Sequence, residues 1–163
     1  MGKVAIEQLK HIKNKAFIMS YSKNAAMYKH RLGAVFIPCD DVDLVESNLQ
    51  NIIRQIVSTT PGFGAEVMTT VLEQFPNEWF VELEDARKDL DDRRNRLLDL
   101  LPERFSFLRQ CRGMFGELGI TPEQIQRLQS EFGIYMPKSS RVNFGGITID
   151  SIAYIAESIR AVL

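Results

Sequence analysis

The stretch AFIMSYSKNAAMYKHRLGAVFI, residues 16–37, decides how the rest of the chain is read. Ala16-Phe17-Ile18-Met19 is a short apolar run between a charged segment and a polar turn. Without polar alternation, such a run predicts a strand buried on both faces. Gly33-Ala34-Val35-Phe36-Ile37 repeats the pattern and is stopped by Pro38, which has no amide hydrogen to give to a sheet. Between the two runs stand the polar cluster Ser20-Tyr21-Ser22-Lys23-Asn24 and the basic cluster Lys29-His30-Arg31. A lysine that attacks a carbonyl must be neutral, so it belongs where desolvation or a nearby cation disfavours its charge. Lys23, flanked by three hydroxyls and a carboxamide, is placed for that role, and Ser20, Ser22 and Arg31 together suit a phosphate. Taken alone, the same pattern also describes a solvated turn.

Outward from this stretch, residues 3–13 carry Val4, Ile6, Leu9 and Ile12 on roughly one helical face. Asp40, Asp41 and Asp43 precede Val42, Val45, Leu49, Ile52, Ile53 and Ile56 at helical spacing, with the acids where a helix dipole favours them. A further helix is predicted from Gly64 to Phe75, and a long one from Asn77 to Leu101, about 37 Å at the usual rise per residue. The long helix is apolar at both ends and polar through Lys88–Arg96, the pattern of a helix that bridges two packing units across solvent. Beyond Pro102 the pattern alternates between strand and helix. Gly113-Met114-Phe115, Ile134-Tyr135-Met136 and Val142-Asn143-Phe144 read as short strands. Thr121-Pro122-Glu123-Gln124 is a capping box that opens a helix closed by Gly133. A last helix carries Ile149, Ile152, Ile155, Ala156, Ile159 and Val162.

Composition narrows the function classes. The chain has 163 residues, with 20 lysines and arginines against 21 acids and a net charge of −1. That balance argues against a polybasic nucleic-acid binder or a membrane-surface protein. No apolar run approaches the roughly 18 residues of a membrane span, and the charged start is no secretory signal. Cys39 and Cys111 are too few for a disulfide framework or a cysteine-rich zinc site, and the reading is a cytoplasmic protein without a metal. His11 and His30 lack a third ligand at metal spacing, and Gly62-Phe63-Gly64 lacks the third glycine of a dinucleotide turn. Ser20-x-x-Lys23 matches the acyl-enzyme pattern of penicillin-recognising proteins, but its Ser-Asp-Asn and Lys-Thr-Gly partners do not occur.

Ser20-Tyr21-Ser22-Lys23-Asn24, with Tyr28 and Arg31-Leu32-Gly33-Ala34 following, resembles the aspartate and aromatic amino-acid aminotransferases, fold-type I enzymes that use pyridoxal phosphate. The resemblance continues in order through Ile53-Arg54, Ser58, Pro61 and Gly64-Ala65, then Gly113-Met114-Phe115 and Leu118–Gln124. It ends with Glu131–Tyr135, Arg141-Val142-Asn143 and Gly145. It implies that Lys23 forms the Schiff base with the cofactor and carries the proton at the substrate α carbon. Ser20, Ser22 and Arg31 would lie in the phosphate-binding stretch, and Arg141 would bind the substrate α-carboxylate. Arg54 would reach a side-chain carboxylate in the partner's site of a homodimer. Amino acids and 2-oxo acids are the implied substrates. Val57, Thr59, Thr60 and Glu117 depart from the family's pattern on the substrate side.

The resemblance implies an α/β fold, the end of a large pyridoxal-phosphate domain over residues 1–86 joined by the long bridging helix to a small α/β domain over 87–163. Only 22 residues precede Lys23. The family's ring-stacking aromatic, its pyridine-pairing aspartate and its glycine-rich phosphate turn would all come earlier, so the chain reads as a C-terminal part. The alternative is a non-catalytic α/β interaction module, or structural remnant, that exposes Trp79, Phe80 and the apolar face of helix 42–56.

Overall fold

The computed structural model describes residues 7–163. The helix expected over 3–13 falls partly outside that range. Inside it, Lys10 N donates to the Glu7 carbonyl and Ile12 N to that of Leu9. The chain divides into two compact units, one ending at Phe80 and one beginning at Val81.

The first unit opens with an antiparallel hairpin, β1 (Phe17–Ser20) and β2 (Gly33–Phe36), with Phe17 opposite Phe36 and Ser20 opposite Gly33. A Cβ on Gly33 would stand 2.9 Å from the Met19 carbonyl oxygen, so the pairing requires glycine there. The two strands are where the sequence places them, but they are not buried on both faces. Ile18 is 84% exposed and Val35 and Phe36 about half exposed. Strand burial depends on what covers the sheet, and here only Phe17 and Ala34 of the two strands are partly buried.

Helix α1 (Val42–Ile56) is capped by Asp41, whose carboxylate accepts from Leu44 N at 2.9 Å. Its apolar side is exposed at Val42, Leu44, Ile52, Ile53 and Ile56. Helix α2 (Phe63–Gln74) buries Gly64 and Met68. Gly64 lets the helix approach the Tyr28–His30 turn, since a Cβ there would meet His30 Cβ at 3.2 Å. Helix α3 (Pro76–Asp99) runs on through the division between the units.

The second unit holds nearly all of the buried apolar side chains. Leu97, Phe105, Leu108, Leu128, Phe144, Ala156 and Ile159 are at most 1% exposed and form one cluster. Helices α4 (Pro122–Phe132) and α5 (Ile152–Val162) pack around it, together with the antiparallel pair β3 (Phe115–Glu117) and β4 (Arg141–Asn143). Gly116 and Val142 turn toward the core, leaving Phe115, Glu117, Arg141 and Asn143 on the outer face. A Cβ on Gly116 would meet Leu108 at 3.0 Å and Phe144 at 3.1 Å, which fixes glycine at that crossing.

Three expectations change here, and one element is new. Residues 134–136 are not a strand. Ile134 N is taken by the Leu128 carbonyl as the chain leaves α4, and Pro137 follows. The strand expected at 113–115 begins only at Phe115. A 3-10 helix over Glu103–Gln110 has no counterpart in the sequence reading. The polar middle of α3 is also not wholly solvated, because Arg94 is only 2% exposed. Arg94 pairs with Asp91 and lies 5.8 Å from the Phe144 ring centroid, while its Nε and Nη1 are buried without a partner. Around it, Arg87, Arg93 and Arg96 form exposed ion pairs with Glu84, Asp89 and Asp92. The described chain is thus mixed helix with two small antiparallel sheets.

The cap of α4 is formed as the sequence implies. Thr121 Oγ1 accepts from Gln124 N, the Gln124 side chain accepts from Thr121 N, and Gly133 closes the helix at φ +64°. The Thr121 side chain is also hydrogen-bonded to Glu123 and holds that carboxyl below the usual range. Thr121→Ala is expected to cost about 1 kcal/mol in urea unfolding. It should also move the Glu123 titration, followed by NMR, upward toward its ordinary value. Because the folded carboxyl titrates low, its stabilising share is present above the ordinary carboxylate range and fades as pH falls through the lowered value.

Candidate functional site

The residues from Ser20 to Arg31 form the mouth of the β1–β2 hairpin. Tyr21 N donates to the Leu32 carbonyl at 3.1 Å, continuing the ladder one step beyond the Ser20–Gly33 pair. Beyond that bond Ser22 lies in a turn and Arg31 ends the Tyr28–His30 turn, so both stand on the loop that the hairpin closes. The loop holds itself by short turns, with Ala25 N and Met27 N both on the Tyr21 carbonyl and Ala26 N on that of Lys23. Met27, 9% exposed, anchors it. Arg31 sits in the left-handed region at φ +52° and ends the Tyr28–His30 turn, its Nη1 donating to the Tyr28 carbonyl at 3.5 Å.

Ser22 N donates to Ser20 Oγ at 3.3 Å, so the two serines are held as a local turn. The Lys23 ammonium lies 4.1 Å from the Tyr28 ring centroid, a cation–π contact. Asn24 Oδ1 is buried beside it without a donor. Residues 16–37 contain Lys23, Lys29 and Arg31 and no acidic side chain, which favours an anion at the mouth. An ammonium, two hydroxyls and a guanidinium on one loop are a donor set that fits an aldehyde bearing a phosphate. The enclosed surroundings expected for Lys23 are not present, however. Lys23, Ser20 and Arg31 are exposed, and Ser22 is half-buried. Tyr28, whose ring lies under the lysine, was not singled out as a site residue. Its signal was an aromatic five positions after Lys23, within one short loop.

The two other arginines occupy separate surroundings. Arg54 is exposed at the C-terminal end of α1, in a hollow of about 470 Å³ shared with Gln50, Ser58, Thr59 and Thr60. Arg141 is exposed on β4, with its guanidinium carbon 5.0 Å from the Phe115 ring centroid. It borders a cleft of about 340 Å³ with apolar walls that include Ile134, Val142 and Ile155. Among the described residues, no three His, Cys, Asp or Glu side chains gather as a metal site, and no helix is long and apolar enough to cross a membrane.

The sequence profile described as aminotransferase class I and II matches residues 3–159, and the chain belongs to that family. It is 37% identical over 154 residues to the aspartate aminotransferase of Haemophilus influenzae, covering 88% of this chain and 39% of that protein. Among solved structures it is similar to a psychrophilic aromatic amino-acid aminotransferase from Psychrobacter sp. B6, cocrystallised with aspartic acid. That match has a TM-score of 0.88 at 32% identity and covers 98% of this chain and 43% of the other. An aromatic-amino-acid aminotransferase from Burkholderia pseudomallei, covalently bound to pyridoxal phosphate, matches with a TM-score of 0.84 at 32% identity, over 92% and 40% of the two chains. The chain thus spans about two fifths of the length of the curated relatives it matches. Family membership does not favour the interaction-module reading.

Proposed function

We propose that this chain is the C-terminal part of a pyridoxal-phosphate-dependent aminotransferase of the aspartate/aromatic type, which moves an amino group between an L-amino acid and a 2-oxo acid. Residues 1–86 would be the end of the large cofactor domain and 87–163 the small domain, with α3 as the bridging helix. The complete enzyme would be a cytoplasmic homodimer. When bound, pyridoxal phosphate supplies the aldehyde and the electron-withdrawing ring that stabilise charge at the substrate α carbon. Ser20, Ser22 and Arg31 would hold its phosphate, the arginine by paired charge-assisted hydrogen bonds. Lys23 Nζ would hold its aldehyde end and then serve as the base that takes and returns the substrate α proton. Arg141 would grip the α-carboxylate with its planar fork, and Arg54 a side-chain carboxylate across the dimer.

The observation that supports this reading is that one acid-free loop, closed by the hairpin, carries Ser20, Ser22, Lys23 and Arg31 in a chain of this family. The test is titration of the purified chain with pyridoxal phosphate, borohydride reduction and peptide mass mapping. The expected result is a pyridoxyl adduct confined to Lys23. Adducts spread over several lysines, or none, would show that this chain does not form the cofactor site.

A further inference from the structure

The outer face of the β3–β4 ribbon carries four side chains that the core does not use. Phe115 stands opposite Asn143, and Glu117 stands opposite Arg141. Residues directly opposite in an antiparallel pair project from the same face, with Cβ atoms about 4.5–5.5 Å apart. Burial agrees with this, since Gly116 and Val142 turn inward while Phe115, Glu117, Arg141 and Asn143 are exposed. Glu117 is thus the direct cross-strand neighbour of Arg141, and Arg141 in turn lines the cleft. The guanidinium rests over the ring of Phe115, the diagonal neighbour of Arg141, rather than on the Glu117 carboxylate directly opposite.

We propose that Glu117 is a specificity-determining residue that sets how strongly Arg141 holds a carboxylate. This rests on the reading of Arg141 as a carboxylate-binding residue. Glu117 acts in two ways. It is a tethered anion that Arg141 reaches by a change of rotamer, so any ligand carboxylate competes with it. It also repels a second negative charge on the same face. Two unit charges about 6 Å apart in water interact strongly enough to change a binding constant roughly threefold, and partial burial by a bound ligand increases the effect. Dianionic ligands thus bind more weakly here than Arg141 alone would allow, and a ligand with a neutral or cationic group beside its carboxylate is favoured.

The test uses the full chain and maleate as a dicarboxylate probe, with affinity measured by calorimetry for the unchanged chain, Glu117→Gln, Arg141→Ala and the double variant. Both substituted positions are on the exposed face, and circular dichroism verifies the fold. The expected result is that Glu117→Gln binds maleate at least threefold more tightly, and that this gain disappears when Arg141 is also replaced. If Arg141→Ala weakens binding while Glu117→Gln leaves it unchanged, the role given to Glu117 is overturned and that of Arg141 stands. If Arg141→Ala changes nothing in either background, or no variant binds the probe, the assignment of Arg141 itself fails and takes the inference with it.

Discussion

Phe144→Ala is expected to unfold most of the second unit or bring it close to unfolding. The ring is fully buried and touches both the helical core and the strand pair. Removing a buried phenylalanine side chain from a core costs about 3–5 kcal/mol, counting the cavity it leaves. A unit of this size has only about 4–12 kcal/mol of stability, so the loss is comparable to the whole. The damage is also directed. Phe144 N donates to the Met114 carbonyl at 2.8 Å, and its ring carries Arg94 on one side and presses on Gly116 at the other. β4, and Arg141 with it, depends on that anchor. In urea, followed by circular dichroism, the midpoint should fall by about 3 M or the transition should be lost, at roughly 1 kcal/mol per molar. A fall of less than about 0.5 M would show that the cluster does not depend on this ring.

The second large effect concerns Arg94 and its counter-ion. Taking a guanidinium out of water is costly, and one carboxylate, from Asp91, partners it. Asp91→Asn removes that charge and leaves the cation buried, for which about 3 kcal/mol of destabilisation is expected. Arg94→Met, which fills similar volume without charge, should be near neutral or stabilising, because Nε and Nη1 have no partner to lose. Both substitutions remove the Arg94–Asp91 pair, and Asp91→Asn also removes the surface pair of Asp91 with Arg87, worth about 0–1 kcal/mol, so their effects are still expected to differ by several kcal/mol. Equal unfolding midpoints for both variants would mean that the guanidinium escapes to water once Asp91 is gone.

The helices of this chain were legible because their signals are local. Asp41 before an apolar period, Thr121 three residues ahead of Gln124, and Gly133 at a left-handed cap each fix an end through groups a few positions away. The strands were placed nearly right but their surroundings were not, since Ile18 and Phe36 would have the same sequence whether covered or bare. Ile134-Tyr135-Met136 looks like a strand by composition and lacks only a partner, which composition does not supply. Arg94 was lost in a run of charges, although its spacing from Leu90, Leu97 and Leu98 puts it on their side of the helix. The loop that carries Lys23 was read from residue chemistry, and the structure adds its closure at Tyr21 and Leu32. The environment of Lys23 was not legible, because enclosure comes from distant chain rather than from neighbours in sequence.

The closure of the hairpin by Tyr21 and Leu32 spans only residues 21–32. Closing a loop of about ten residues takes on the order of 10–100 ns, and a hairpin forms in about 1–10 μs, so the mouth is quick to form. A lone two-stranded ribbon is also only marginally stable in water, so the mouth is equally quick to open. The closed loop is then a population rather than a fixture. On the proposed role of the loop, a phosphate would bind the closed fraction, and its apparent dissociation constant would be the intrinsic one divided by that fraction. Substitutions that touch no ligand, such as one at Gly33 that blocks the pairing, would weaken binding through this fraction alone.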